Sequence, residues 1–258
     1  MHAAAGPGQD SPFYWNEEVR PGLRVAFTSA AAGNLALHVG DDADGVRGNR
    51  RRLEASMGIP SGSLRFMSQT HSDRVAVLGS TVPTAGTVED HPGPPDADGM
   101  VSRTGTHPLA VLVADCVPIV LADASVTDGG TGATAVVHAG RAGVGNGIVT
   151  KATTALRNQG AGNLTAWIGP SVCGSCYEVP EDMMLAMAQS LPEAASRTPS
   201  GRPALDLPAA VRRQLDDAGV VVGQLSGAGA PCTLENAGLY SHRRAPGAGR
   251  IAGLVWRT

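Results

Sequence analysis

Three residues able to ligate a metal recur at one kind of place in the sequence. His71 follows the run Leu64-Arg-Phe-Met-Ser-Gln69, Cys116 separates the apolar runs 109–114 and 117–121, and His138 ends the apolar run 133–137. Residues inside strands hold rigid positions, and strand ends face the crevice where ligands bind. Two imidazoles and one thiolate are a good donor set for zinc. Three protein ligands leave a fourth position for water or substrate, which marks a catalytic rather than a structural site. A metal held there keeps the thiol ionised and can acidify water or polarise a phosphate or carbonyl oxygen. Asp73 and Asp115 stand beside two of these ligands and are candidates to support them. Each residue also fits an ordinary role: a histidine in a polar turn, an inert buried thiol, a structural histidine before glycine. Cys116 with a histidine base would equally make a cysteine hydrolase or amidase. Spacing leaves these alternatives open, because the residues are too far apart for a short-range motif.

Other chemistries lack their residues. No histidine has Glu two positions on, so the usual zinc-deaminase signature is missing. No His-x-His pair occurs among the 7 histidines, which argues against a multicopper oxidase centre, although copper could occupy the same three ligands. Cys173-Gly-Ser-Cys176 is an isolated Cys-x-x-Cys and reads as structural. A net charge of −3 gives no basic field for nucleic acid, and Arg50-Arg-Arg52 is only a short cationic run.

The elements that must position the three ligands follow from periodicity. Strands are expected over 23–29, 35–39, 64–69, 75–78, 109–114, 117–121, 133–137, 164–168 and 220–222. The segments 239–244 and 251–256 close the chain as strands or an extended pair. Helices are expected over 45–57, 148–158, 181–191 and 207–218, and loops over 81–95 and 123–132. Unbroken apolar strands imply burial on both faces, and irregular interleaving implies mixed sheets. A hydrophobic fraction of 42% against 17% charged fits a globular chain, with aliphatic residues filling the core because aromatics are 3%. Residues 1–20 read as a tail carrying the cluster Phe13-Tyr-Trp15, and 21–258 as a single catalytic domain. The longest apolar stretch, 109–122, is too short to cross a membrane and is interrupted by Asp115 and Pro118. Residues 1–21 have no signal-peptide pattern, so the cytoplasm is the expected compartment.

The same residues lie in segments that resemble the YfiH family, also called the polyphenol oxidase laccase or purine nucleoside phosphorylase family. These are Asn34-Leu-Ala-Leu-His-Val-Gly-Asp-Asp42, Gln69-Thr-His-Ser72, Asp96-Ala-Asp-Gly-Met-Val101, Ala114-Asp-Cys-Val-Pro118 and His138-Ala-Gly140. They continue in Ile168-Gly-Pro170, Cys176-Tyr-Glu-Val179 and Ser241-His-Arg-Arg244. The resemblance implies an α/β fold of the α+β type, one domain in a layered α/β/β/α arrangement with mixed sheets. It implies zinc on His71, Cys116 and His138, acting as metal ligands and catalytic residues. The implied activity is phosphorolysis of adenosine and inosine by phosphate, with adenosine deamination and methylthioadenosine cleavage in relatives. Some relatives are linked to editing of cell-wall precursors by amide hydrolysis. Candidate phosphate contacts are Arg50 and Arg141, and candidate sugar or base contacts are Asn34 and Gln69. Where relatives often read His-Ala-Gly-Trp-Arg-Gly, this chain reads His138-Ala-Gly-Arg-Ala-Gly143, which moves the arginine to Arg141. No nucleic acid or membrane partner is expected, and a monomer is.

Overall fold

The apolar runs on either side of Cys116 are strands buried on both faces, and this double burial sets the architecture. In the computed structural model, which describes residues 11–40, 42–79 and 93–258, the chain forms two stacked sheets between helical layers and a small separate two-stranded sheet. The strands are β1 (Phe13–Arg20), β2 (Leu23–Thr28), β3 (Val75–Leu78), β4 (Gly99–Ser102), β5 (Leu109–Val113) and β6 (Val117–Ala122). They continue as β7 (Thr134–Ala139), β8 (Thr165–Ile168), β9 (Ala195–Arg197), β10 (Pro203–Leu205), β11 (Val221–Val222) and β12 (Ile251–Arg257). The helices are α1 (Ala43–Met57), α2 (Arg141–Gly145), α3 (Ile148–Arg157), α4 (Glu181–Ala188) and α5 (Leu207–Asp217).

One sheet has the order β1-β2-β12-β5 and is antiparallel throughout. The other, β11-β8-β6-β7-β4-β3, is mixed: β3–β4 and β8–β11 are parallel and the rest antiparallel. Strand alternation sends successive side chains into different layers. Val25, Phe27, Val111 and Val113 meet Val120, Val136 and Trp167 between the sheets. Ala26, Leu112 and Leu254 face the other way, toward Leu53 and Met57 of α1. On the far side, Ile119, Leu121, Ala135 and Val137 pack with Ile148, Leu156, Ala210 and Leu215 of α3 and α5. Three interlayer cores thus give the expected α/β/β/α order in one domain.

Helix α1 begins where Asp42 accepts from the N–H groups of Asp44 and Gly45, and ends at Gly58, whose φ of 71° suits a left-handed cap. Its inward face is the expected one, with Val46, Leu53 and Met57 buried.

Several expectations are corrected. Residues 13–20 of the expected tail form β1, with Tyr14 and Trp15 buried against the inter-sheet core. Residues 1–10, and most of the expected loop at 81–95, lie outside the described residues. Residues 35–39 are not a strand. Asn34 holds them in a turn by donating to the carbonyls of Ala36 and Val39, while Arg50 takes the carbonyl of Leu35. Residues 64–69 make only isolated bridges, Arg65 with Leu109 and Ser68 with Asp96. Residues 239–244 are turns.

Phe27 sits at the centre of the inter-sheet core, fully buried; a Cβ added to Gly169 would come within 2.3 Å of its ring. Truncating such a ring leaves a cavity that rigid strands cannot close. Phe27→Ala should therefore cost about 3–5 kcal/mol in urea unfolding. Val126→Ala, in an exposed loop, should stay within about 0.5 kcal/mol.

Candidate metal centre and active site

The sheet and its turns bring the three distant candidate ligands together. His138 lies within β7, one residue short of its end, in register with Pro118 on β6. Cys116 immediately precedes β6, lifted there by Asp115, whose φ is 81°. His71 occupies the turn after residues 64–70 with a φ of 60°. The ligand atoms of His71, Cys116 and His138 all fall within 4.8 Å of one another. Cys116 Sγ is 3.7 Å from His71 Nε2, and the two imidazoles meet edge to face with centroids 4.7 Å apart. Gly140 leaves room for this cluster, since a Cβ there would sit 2.6 Å from His71 Cδ2 and 3.1 Å from Cys116 Sγ.

A buried carboxylate organises the cluster. Asp98 Oδ1 lies 2.7 Å from His138 Nδ1 and accepts from the His71 N–H at 3.1 Å. Its Oδ2 accepts from the N–H of Thr70 and from both the N–H and Oγ of Ser72. Because an ionised carboxylate only accepts, Nδ1 of His138 carries the proton and Nε2 is left for the centre. Burial opposes the charge on Asp98, but the bonds from His138 and Ser72 outweigh it and hold the carboxyl well below the usual range. Burial likewise opposes ionisation of Cys116, yet His138 and His71 bring its thiol down to about 6. His138, in turn, is held up at about 9: burial opposes its charge, and Cys116 and Asp98 prevail. Without metal, the centre is therefore a thiolate–imidazolium pair near neutral pH.

Asp115 extends the frame. Its carboxylate accepts from Thr233 Oγ1 at 2.6 Å and from the Arg243 N–H at 2.8 Å, and its carbonyl accepts from the Val172 N–H. Three later loops are thereby fixed around a cavity of about 330 Å³. The three ligands share its lining with Tyr177, His242, Arg243 and Arg250. Arg243 lies over the ring of Tyr177 at 4.5 Å. Arg250 donates to its own neighbour's carbonyl at Gly249 and is half-buried.

The other residues singled out by sequence lie elsewhere in the frame. Gln69 lines the cavity, but its amide both donates to and accepts from the Leu112 backbone, standing in for a strand partner. Buried Asn34 bonds Ala36, Val39 and the N–H of Arg250. Arg50 lies over Phe66 at 3.7 Å, with Nε and Nη2 both donating to Leu35. Arg141 opens α2 and is not among the residues lining the cavity. Asp73 pairs with Lys151 instead of supporting a ligand. Sequence reasoning gave no role to Asp98, Arg243 or Arg250. The available signal for Asp98 was an acidic residue directly before a fully buried strand.

Residues 24–258 match a family model described as multi-copper polyphenol oxidoreductase laccase. A purine nucleoside phosphorylase of Mycobacterium tuberculosis is 40% identical over 225 residues, covering 86% of this chain and 84% of that protein. One from Corynebacterium glutamicum is 38% identical over 245 residues, covering 91% and 94%. Among solved structures, YlmD from Geobacillus stearothermophilus matches with a TM-score of 0.76 at 27% identity, covering 95% of this chain and 99% of that one. The Neisseria meningitidis protein NMB0706 matches with a TM-score of 0.75 at 29% identity over the same shares.

The thiolate–imidazolium pair predicts a titration. In metal-free protein, iodoacetamide should alkylate Cys116 with a midpoint near pH 6, well under the ~8.5 of a free thiol. His138→Ala should move that midpoint upward, because the charge that favours the thiolate is gone. Reactivity that rises only above the free-thiol range in the parent protein would discard the pair.

Proposed function

The chain belongs to the multi-copper polyphenol oxidoreductase laccase family, the YfiH group, and from that premise we propose that it is a zinc-dependent purine nucleoside phosphorylase. The observation that carries this reading is the metal-ligand triad, in the lining of a cavity that also presents two arginines. The substrates are adenosine or inosine with phosphate, and methylthioadenosine phosphorolysis and adenosine deamination are side activities of the same site. Two imidazoles and a thiolate suit zinc, with His138 fixed in its ligating tautomer by Asp98. A multicopper mechanism needs further imidazole clusters. Among the described residues, the one other group able to hold a metal is Cys173, Cys176, Cys232 and Glu235.

Phosphorolysis requires a bound phosphate dianion, a stabilised oxocarbenium-like state and a protonated leaving purine. The Arg243 and Arg250 guanidiniums offer planar donors matched to phosphate oxygens, in place of Arg50 and Arg141. His242 also lines their cavity and would be the proton donor to the leaving base. A bound zinc supplies Lewis acidity toward an oxygen of phosphate or sugar. Asp115, next to Cys116, sets the backbone of Arg243 directly, and Asn34 sets that of Arg250.

A second reading has one observation in its favour. Asp98, His138 and Cys116 form an acid–imidazole–thiol series that, without metal, has the order of a cysteine hydrolase. An amidase acting on cell-wall precursors would use Cys116 as nucleophile. Metal content separates the two, since a metal-bound thiolate is a poor free nucleophile.

The test is product analysis with adenosine and inosine, with and without phosphate. Free base and ribose 1-phosphate should appear only with phosphate, and Cys116→Ala should lose both this activity and the metal of the His71, Cys116 and His138 centre. Arg250→Ala should lower kcat/KM roughly ten- to a hundredfold through the phosphate, the worth of a charge-assisted hydrogen bond. Intact nucleosides after incubation with metal-loaded protein would sink the phosphorylase reading.

A further inference from the structure

A second set of metal-ligating residues stands apart from the centre described above. Cys173, Cys176, Cys232 and Glu235 each present a ligand atom, and these atoms lie within 4.8 Å of one another. All four cysteines of the chain are free thiols. The ligands come as two pairs with the same spacing, Cys173-Gly-Ser-Cys176 and Cys232-Thr-Leu-Glu235. Each pair wraps a turn. The N–H groups of Cys176 and Tyr177 both donate to the Cys173 carbonyl, and that of Asn236 donates to the Cys232 carbonyl. Ligands separated by two residues on each of two facing turns are the usual way a chain surrounds a tetrahedral structural zinc.

The turns are built to face one another. Ser171 and Cys232 form a parallel bridge, with the Ser171 N–H donating to Pro231 and the Thr233 N–H to Ser171. Gly174 presses its backbone against the N-cap of α5, where a Cβ would meet Asp206 at 2.7 Å. Cys232 is buried, and Cys176 Sγ lies 3.4 Å from Glu235 Oε1. Three thiolates and a carboxylate would leave excess negative charge around a divalent ion. Arg244 sits beside the second turn, donating to the carbonyls of Thr233, Leu234 and Asn236.

We propose that Cys173, Cys176, Cys232 and Glu235 hold a second, structural zinc that fastens the 171–177 turn to the 232–236 turn. Tetrahedral zinc–thiolate bonds of about 2.3 Å place the sulfurs roughly 3.8 Å apart, so the cluster needs only a small contraction. The ion is closed off by protein ligands and takes no part in turnover. Its consequence is positional: Val172 and Thr233, one residue from a ligand on each turn, both bond Asp115 in the first centre.

Metal analysis of protein reconstituted with zinc and freed of excess decides the matter on a background lacking the first centre. Cys116→Ala should retain one equivalent, and Cys116→Ala combined with Cys232→Ser should retain none. Cobalt loaded into Cys116→Ala should show the intense thiolate-to-cobalt charge-transfer absorption of a multi-thiolate site. That measurement stands even where the double variant fails to fold. No metal on Cys116→Ala, or Cys173 and Cys176 recovered as a disulfide from anaerobically purified protein, would overturn the proposal.

Discussion

The candidate centre depends on one buried carboxylate. Asp98 has no exposure to solvent, and its charge is compensated by hydrogen bonds from residues that otherwise share no element: the turn at 70–72 and strand β7. Burying an unpaired carboxylate is prohibitively costly, so the turn must close on Asp98 for this part of the chain to fold. Closing the turn places His71. The bond to Nδ1 orients His138. Two of the three candidate ligands are therefore consequences of satisfying a single acid, and the chain cannot easily fold without assembling them.

The third candidate ligand, Cys116, is set by strain rather than by charge. Among the described residues, His71 and Asp115 are the non-glycine positions with left-handed backbone. Side chains disfavour that region, and each such residue costs roughly 1–3 kcal/mol that the surroundings must outweigh. At Asp115 the surroundings are explicit, because its carboxylate accepts from Thr233 and Arg243 and its carbonyl from Val172. The unusual turn between β5 and β6 presents Cys116 toward the imidazoles while both neighbouring strands stay in register. Gly140 completes the arrangement by leaving the space that a side chain would fill.

Much of this was legible in the sequence, for a physical reason. Apolar runs such as 109–113 and 117–122 report burial directly, so strands flanking Cys116 could be placed within a residue. The helices α1, α3 and α5 stand where the sequence placed them, over 45–57, 148–158 and 207–218 within two residues. What failed were segments where a side chain replaces backbone pairing. Residues 35–39 alternate like a strand, yet Asn34 and Arg50 take carbonyls that a neighbouring strand would need. Residues 64–69 run along β5, but Gln69 supplies by side chain the pairing with Leu112. Such substitutions have no periodicity and leave no pattern to read. Asn34, Arg50 and Gln69 were legible as candidate contacts to phosphate, sugar or base, while their use as framework was not.

The same logic explains why candidate ligands stood out more readily than the residues that support them. Histidine and cysteine are chemically rare enough to stand out, whereas an aspartate before a strand resembles any surface acid. Proximity in sequence was also misleading. Asp73 lies two residues from a ligand and reaches out to Lys151, whereas Asp98 lies 40 residues from His138 and bonds it directly. Support for a site built from strand ends has to come from neighbouring strands, because adjacent residues on a strand point to opposite faces. β4 is the neighbour of β7 in the mixed sheet, so the residue just before β4 is the one the sheet delivers to His138. Once strand order is known, Asp98 follows from topology; before it is known, its place before a buried strand gives it no role.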